Sequence, residues 1–131
     1  MDIPYQLACA MGRKSWIAAH QDVVHCYVRG HVEGILRFKH DRAFGIEVLR
    51  SYANADDEDV LLSSYEAIRE EFSSNPFPTA EAIRNILQTF QGWIQGADPA
   101  QDEKYIDRQY METLAAANVL NELRKRYEGG S

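Results

Sequence analysis

The sequence has little of what marks several common classes of protein. Its only two cysteines, Cys9 and Cys26, are too few for a disulfide framework and lack the C-x-x-C spacing of zinc or redox sites. No apolar run approaches the roughly 18 residues of a membrane span. The 14 Lys and Arg against 20 Asp and Glu leave a net charge of −6, which disfavours nucleic acid and anionic membranes as partners. The N-terminus has no basic stretch followed by an apolar one, so we expect no signal peptide and a cytoplasmic location.

Catalytic motifs are also scarce. The sequence contains no G-x-S-x-G motif and no glycine-rich phosphate loop. His25 directly precedes Cys26, but adjacent residues on a helix point about 100° apart, so they do not form a nucleophile–base pair. Both cysteines are predicted to be buried free thiols. We therefore predict that the protein is not an enzyme and uses no cofactor.

Two groups of residues suggest a metal site, and each has a simpler interpretation. The histidines His20, His25, His31 and His40 are five, six and nine residues apart, whereas helical ligand pairs need spacings of three or four. We predict no metal, a half-buried His31, and the other three on a solvated face. The acidic run at 56–59 lacks the alternating ligands, central glycine and closing glutamate of a calcium loop. Because carboxylates favour the first turn of a helix, capping explains this run without an ion.

Most of the chain after residue 14 has the periodicity of amphipathic helices. Asp22 and Asp41 are predicted to cap the first two long helices, and the acidic run to begin a third. A fourth helix is expected to open at the segment beginning with Thr79. The apolar stripe of the last segment, which starts near Asp102, changes phase at 115–118, and this indicates a kink or a break.

Two features of this helical pattern are unusual. Gly30 and Gly34 lie inside the first long helix, where each costs about 1 kcal/mol relative to alanine. Either a neighbouring backbone approaches them closely or the helix simply tolerates them. Residues 3–11 alternate loosely and are compatible with a single strand, which would have no partner strand in the chain.

The predicted fold class is mainly α, with five to six helices and one N-terminal extended segment. Residues 1–127 are expected to form a single helical domain, and residues 128–131 to be a vector or tag remnant. The apolar stripes predict the following core residues: Trp16, Val24, Val28, Ile35, Phe44, Leu49, Leu61, Ile68, Ile83, Leu87, Phe90, Ile106 and Leu114.

Short motifs along the chain occur in a familiar order. They are Ile3-Pro4-Tyr5-Gln6, residues 15–20, residues 24–35, residues 57–61 with Tyr65-Glu66, residues 77–83, and Tyr105-Ile106-Asp107 with Tyr110 and Leu114. Together they resemble the C-terminal third of certain periplasmic substrate-binding proteins. These proteins are the solute-binding components of ABC importers for nitrate, sulfonates, taurine and thiamine precursors. Gln21 departs from the pattern, because proline is usual there.

The resemblance implies that the chain is the helical part of one lobe of a type II periplasmic binding protein. Most ligand contacts of that family lie in an earlier part that this chain lacks, and only Tyr5 and Gln6 would approach the hinge as candidate ligand-binding residues. The orphaned strand and uncovered helix faces would favour a homodimer, with Leu7, Cys9 and Met11 as candidate self-association residues. Within a full-length relative the chain would be periplasmic and act with an ABC permease.

Two functions are therefore predicted. The first is a self-associating fragment of a solute-binding protein without a complete ligand site. The alternative is a small helical binding module for an anionic or aromatic metabolite, suggested by the aromatic content near Pro4 and by the cationic pair Arg13-Lys14. An interaction protein unrelated to this family is the third possibility.

Overall fold

The computed structural model describes residues 4, 9–73, 76–93, 95–96 and 98–129, and eight helices occupy most of these residues. The described ranges contain no strand, which confirms a mainly α protein with more helices than predicted. None of these helices is long and apolar enough to cross a membrane. In chain order they are α1 (Lys14–Ala19), α2 (Gln21–His40), α3 (Arg42–Ala53), α4 (Glu58–Glu71), α5 (Ala80–Thr89), a 3₁₀ helix (Pro99–Tyr105), α6 (Gln109–Ala116) and α7 (Val119–Glu128).

Two helices begin at the side-chain caps that the sequence indicates. The Asp41 carboxylate accepts a hydrogen bond from the backbone amide of Phe44 at 3.0 Å, at the start of α3. The Thr79 hydroxyl accepts one from the amide of Ala82 at 3.2 Å, at the start of α5. Each cap satisfies a backbone donor that the first turn of a helix leaves unpaired.

The acidic run likewise begins a helix. Asp57 Oδ1 accepts hydrogen bonds from the amides of Asp59 at 3.1 Å and Val60 at 3.2 Å, which confirms capping as the role of this segment in α4. The predicted cap of α2 is wrong. That helix begins at Gln21, so Asp22 lies inside its first turn, where its negative charge still interacts favourably with the positive end of the helix dipole.

The main core lies where α6 and α7 pack against α2. Asn118 separates α6 from α7 in a left-handed conformation with φ of 61°, which asparagine tolerates better than most residues. This confirms the predicted break and lets both helices contact α2. The buried cluster that results consists of Val32, Leu36, Met111, Leu114, Leu120 and Leu123.

A second packed region joins α2, α3 and α4. The buried ring of Tyr65 lies against Phe38, with 5.3 Å between the ring centroids, and fills the space beside Gly45. The Lys39 ammonium donates a hydrogen bond to the Arg69 carbonyl at 2.9 Å, near the end of α4. A cation at this position also interacts favourably with the negative end of the helix dipole. Together these contacts fix the position of α4 on the pair α2–α3.

The α5–3₁₀ unit, residues 80–105, packs mainly on itself. Arg84 Nη2 lies 2.6 Å from Asp102 Oδ2, and Asp102 is only 5% exposed. Asp102 Oδ1 also accepts a hydrogen bond from the Glu103 amide at 2.8 Å. The Asn85 side-chain amide donates to the Pro4 carbonyl at 2.7 Å, so Pro4 lies beside α5.

The predicted core is partly correct. Leu61, Leu87 and Leu114 are buried, but Trp16 is 48% exposed and Phe90 is 37% exposed, so the prediction is wrong for these two. Trp16 lies on α1, whose main neighbour is α2, and Phe90 lies just beyond the end of α5. The other predicted core residues are half-buried: Val24, Val28, Ile35, Phe44, Leu49, Ile68, Ile83 and Ile106.

The predicted N-terminal strand is not found in the part that the structure describes. Residues 9–13 belong to neither a helix nor a strand, and residues 5–8 lie outside the described residues. Residues 9–13 have no described neighbouring strand to pair with, and they lead directly into α1 at Lys14.

Candidate interaction surface

The predicted ligand-binding and self-association residues lie in the N-terminal segment. Tyr5, Gln6 and Leu7 fall outside the described residues. Cys9 is exposed, and Met11 is 90% exposed in the segment that leads into α1. The roles assigned to these five residues stay predictions.

Both cysteines are exposed, so the prediction of buried thiols is wrong. Cys26 lies in α2, on a side that the core does not cover. The histidine prediction needs a similar correction: His31 is exposed rather than half-buried, and its ring stacks on Tyr27 with 5.9 Å between centroids. Its neighbour on the same helix, His25, is half-buried. In the described ranges, no three His, Cys, Asp or Glu side chains are grouped closely enough to hold a metal.

The most distinctive surface lies on the side of α2 that faces away from the core. We define the outer face of α2 as Val23, Tyr27, Gly30 and Gly34, flanked by Cys26 and His31. With 100° between successive residues, these positions lie opposite the buried Val32 and Leu36. Val23 is 49% exposed and Tyr27 is 54% exposed. Between Val23 and Gly34 the outer face therefore presents apolar side chains to solvent without Asp, Glu, Lys or Arg, and the next position on this side of the helix is Arg37.

The two glycines of the outer face have open space above them. Within the described part of the chain, no atom lies within 4 Å of a Cβ built at Gly30 or at Gly34. Close approach by another described element of the chain therefore does not explain them. Tolerance, or approach by a different molecule, is left as the explanation.

An aromatic pair on α1 extends this surface toward the N-terminus. The exposed Trp16 ring stacks on His20, with 4.5 Å between centroids and 15° between the ring planes. The His20 Nδ1 lies 2.8 Å from the Trp16 carbonyl oxygen. The stacking contact places the indole beside the start of α2.

Charged groups at the margin of the outer face are bound to neighbouring elements. Glu33 Oε1 lies 2.8 Å from Arg126 Nη1 and accepts a hydrogen bond from the Tyr127 hydroxyl at 2.9 Å, both from α7. The Arg37 guanidinium lies 3.8 Å above the ring centroid of Phe44. Glu33 lies to one side of the stripe, whereas Arg37 is the next position of the stripe after Gly34, with its Nε 3.5 Å from Asp41 Oδ2.

A second group of exposed aromatic residues lies at the end of the α5–3₁₀ unit. Trp93 is 87% exposed and meets Phe90 edge to face, with 6.2 Å between centroids. Tyr105 is 46% exposed, and Lys104 Nζ lies 4.9 Å from its ring centroid. This group belongs to a short turn and lacks the regular spacing of the outer face of α2.

The described residues contain few of the features that mark an active site. The Tyr110 hydroxyl is buried without a hydrogen-bond partner, and burial raises its pKa, with a smaller contribution from Asp107. No described hydrogen bond joins this hydroxyl to a base or a nucleophile, as a catalytic pair would require. The two best-formed depressions are shallow and open, one beside the end of α7 and one between Gln88 and Pro99. Ligand pockets are ordinarily enclosed and mostly apolar.

Comparison with known proteins adds no family to this description, because no family model, curated protein or solved structure matches the chain. The resemblance to solute-binding proteins therefore stays a prediction. The geometry of the outer face is the evidence that bears on function.

Proposed function

We propose that this protein is a helical interaction protein that binds another polypeptide through the outer face of α2. The observation that carries the proposal is the exposure of Val23 and Tyr27 on a helix side that has no Asp, Glu, Lys or Arg between residues 23 and 34. Charged residues make up 26% of the chain, and the solvated side of a surface helix ordinarily carries them. Covering this side with a partner removes apolar surface from water without desolvating a carboxylate, ammonium or guanidinium.

The shape of the outer face favours a helix as the bound element. Its four central residues recur every three or four positions, so they form one stripe along α2. A partner helix packs its side chains into such a stripe, and glycines allow the two backbones to approach closely. An extended peptide instead binds by adding a strand to a sheet edge, and the described residues form no sheet.

The predicted solute-binding-protein fragment leads to a related proposal for the same surface. In that interpretation the chain is the helical part of a lobe, and the outer face packs on the rest of the larger protein. The metabolite-binding alternative rests on Tyr5 and Gln6, which lie outside the described residues, and on the exposed pair Arg13-Lys14. An interaction role has more support, because it uses residues whose geometry is described.

Photo-crosslinking in the native host tests the interaction role. A photoreactive phenylalanine analogue replaces Tyr27 in one variant of the full chain and Tyr52 in a matched control. Both tyrosines are exposed helical residues, at 54% and 90%, but Tyr52 lies on α3. We expect irradiation to give a discrete adduct from position 27 and none from position 52.

An adduct from position 27 at a defined mass supports the proposal and gives the mass of the partner. No adduct from position 27, or equal labelling at both positions, contradicts it. Circular dichroism of each variant confirms that the helices are intact, which is expected because neither side chain is in the core.

A further inference from the structure

We infer that the polypeptide bound by the outer face of α2 is a second copy of this chain, whose α2 lies antiparallel to the first. The inference rests on the proposed function and names its partner. It keeps the predicted homodimer but assigns the interface to α2 rather than to residues 5–11.

The outer face has its large side chains at one end and its gaps at the other. Val23 and Tyr27 are in the N-terminal half of the stripe, which runs from residue 23 to residue 34, whereas Gly30 and Gly34 are in its C-terminal half. When two copies pair antiparallel about the point midway between Tyr27 and Gly30, Tyr27 faces the partner's Gly30 and Val23 faces the partner's Gly34. Each large side chain then occupies the space above a glycine, and two-fold symmetry repeats the contact.

Parallel pairing of the same two helices does not give this fit. It places Tyr27 against the partner's Tyr27 and glycine against glycine, so the two large side chains collide and the two glycines leave an unfilled space. Close packing without voids is what stabilises such contacts. The arrangement of residues along α2 therefore selects the antiparallel orientation.

The spacing of the stripe suits a pair of long helices. Positions 23, 27, 30 and 34 follow the four-three-four spacing of the a and d positions in a coiled coil. This spacing keeps a contact line on one side of each helix. α2 has 20 residues and is therefore about 30 Å long, so the stripe covers its central part.

The charges on α2 favour the same orientation. Asp22 lies in the first turn, and Arg37, Lys39 and His40 lie in the last turn. Antiparallel packing opposes the two helix dipoles and brings Asp22 toward the end of the partner helix that carries Arg37, whereas Lys39 contacts the end of α4. Each copy has a net charge of −6, so like charges oppose contact through most other surfaces. The stripe is uncharged from Val23 to Gly34, and its next position, Arg37, faces the partner's His20 in this pairing.

Disulfide cross-linking tests the orientation. In a background of Cys9→Ser and Cys26→Ser, one batch of protein carries Val23→Cys and a second batch, distinguished by a tag, carries Gly34→Cys. Val23 is half-exposed and a Cβ at Gly34 has open space, so both variants should fold. After mixing and mild oxidation, we expect a mixed disulfide. It should be about tenfold more abundant than when Tyr52→Cys replaces Val23→Cys, because the complex raises the effective concentration of the two thiols.

Two results of this experiment overturn the inference. One is a disulfide between two Val23→Cys chains that is as abundant as the mixed one, which indicates parallel pairing. The other is a mixed disulfide no more abundant than in the Tyr52→Cys control.

Light scattering on the unmodified chain separates the inference from the proposed function. We expect the mass to rise toward twice 15.0 kDa with increasing concentration. A mass of 15.0 kDa at every concentration excludes a second copy as the partner. In that case a photo-adduct of another mass at position 27 still supports the interaction role, whereas its absence contradicts both proposals.

Discussion

Gly45 in α3 and Gly30 in α2 both lie inside helices, but their surroundings differ. A Cβ at Gly45 would lie 2.7 Å from Cδ2 of Tyr65, so this glycine allows α4 to approach α3. A Cβ at Gly30 would meet no described atom within 4 Å. A helical glycine costs about 1 kcal/mol relative to alanine. Contacts within the chain offset that cost at Gly45, whereas no described contact offsets it at Gly30, where we propose that a second molecule packs.

The largest expected effect is a loss of stability when a side chain is added at Gly45, because the Tyr65 ring already occupies the space beside it. Gly45→Ala forces the Tyr65 ring away from α3, and overpacking of this kind costs about 1–3 kcal/mol of the free energy of unfolding. Urea denaturation measures the loss, with Gly34→Ala as the matched control. Equal stability of the two variants would contradict the explanation of Gly45.

A smaller effect of opposite sign is expected at Gly30. Gly30→Ala should raise the free energy of unfolding of the isolated chain by about 0.5–1 kcal/mol, because alanine is the better helix former and has room there. The same change removes the space proposed for the partner's Tyr27, so self-association should weaken. Denaturation at high dilution and light scattering at high concentration measure the two effects. Unchanged association would place the contact elsewhere.

The smallest expected effect on stability concerns two buried tyrosines. One has a hydrogen-bond partner within the chain, and the other has no described partner. The Tyr65 hydroxyl donates a hydrogen bond to the Lys39 carbonyl at 3.3 Å, whereas the Tyr110 hydroxyl has no described partner. Burial raises the pKa of both above the ordinary value of 10.0. Tyr110→Phe should therefore change stability little at neutral pH.

The pH dependence of the Tyr110 variant has a definite sign. The unfolded chain loses the tyrosine proton near pH 10, while the folded chain keeps it to higher pH. The contribution of Tyr110 to the free energy of unfolding is therefore complete below about pH 10, and it is lost as the pH rises through the raised pKa of this residue. We expect unfolding curves between neutral and strongly alkaline pH to show a shallower alkaline loss for Tyr110→Phe than for the unmodified chain. Identical slopes would contradict a raised pKa at this residue.

The helix boundaries could be predicted where a nearby side chain determines them. Asp41, Asp57 and Thr79 each accept a hydrogen bond from a backbone amide two or three residues later, so the signal is local in the sequence. Asn118 at the predicted break is also a local signal. Asp22 shows the limit, because α2 begins one residue earlier without a side-chain hydrogen bond to its cap.

The core and the interaction surface were harder to predict, for one physical reason. α2 has apolar residues on two sides, and its periodicity alone does not show which side is covered. The answer depends on α6 and α7, which supply the residues that bury Val32 and Leu36. Tyr27 is apolar in part, yet it lies on the outer face and is 54% exposed. The signal that identifies this face is Gly30 with Gly34 on a side that has no charged residue between positions 23 and 34.

The α5–3₁₀ unit has a consequence for the order of folding. Its two helices are neighbours in the chain, pack mainly against each other, and are joined by the Arg84–Asp102 ion pair. Contacts between sequence neighbours require little loop closure and therefore form rapidly. The core of α2, α6 and α7 instead joins residues about eighty positions apart and must wait for a much longer loop to close. The chain thus combines a local folding unit with a slower, long-range one.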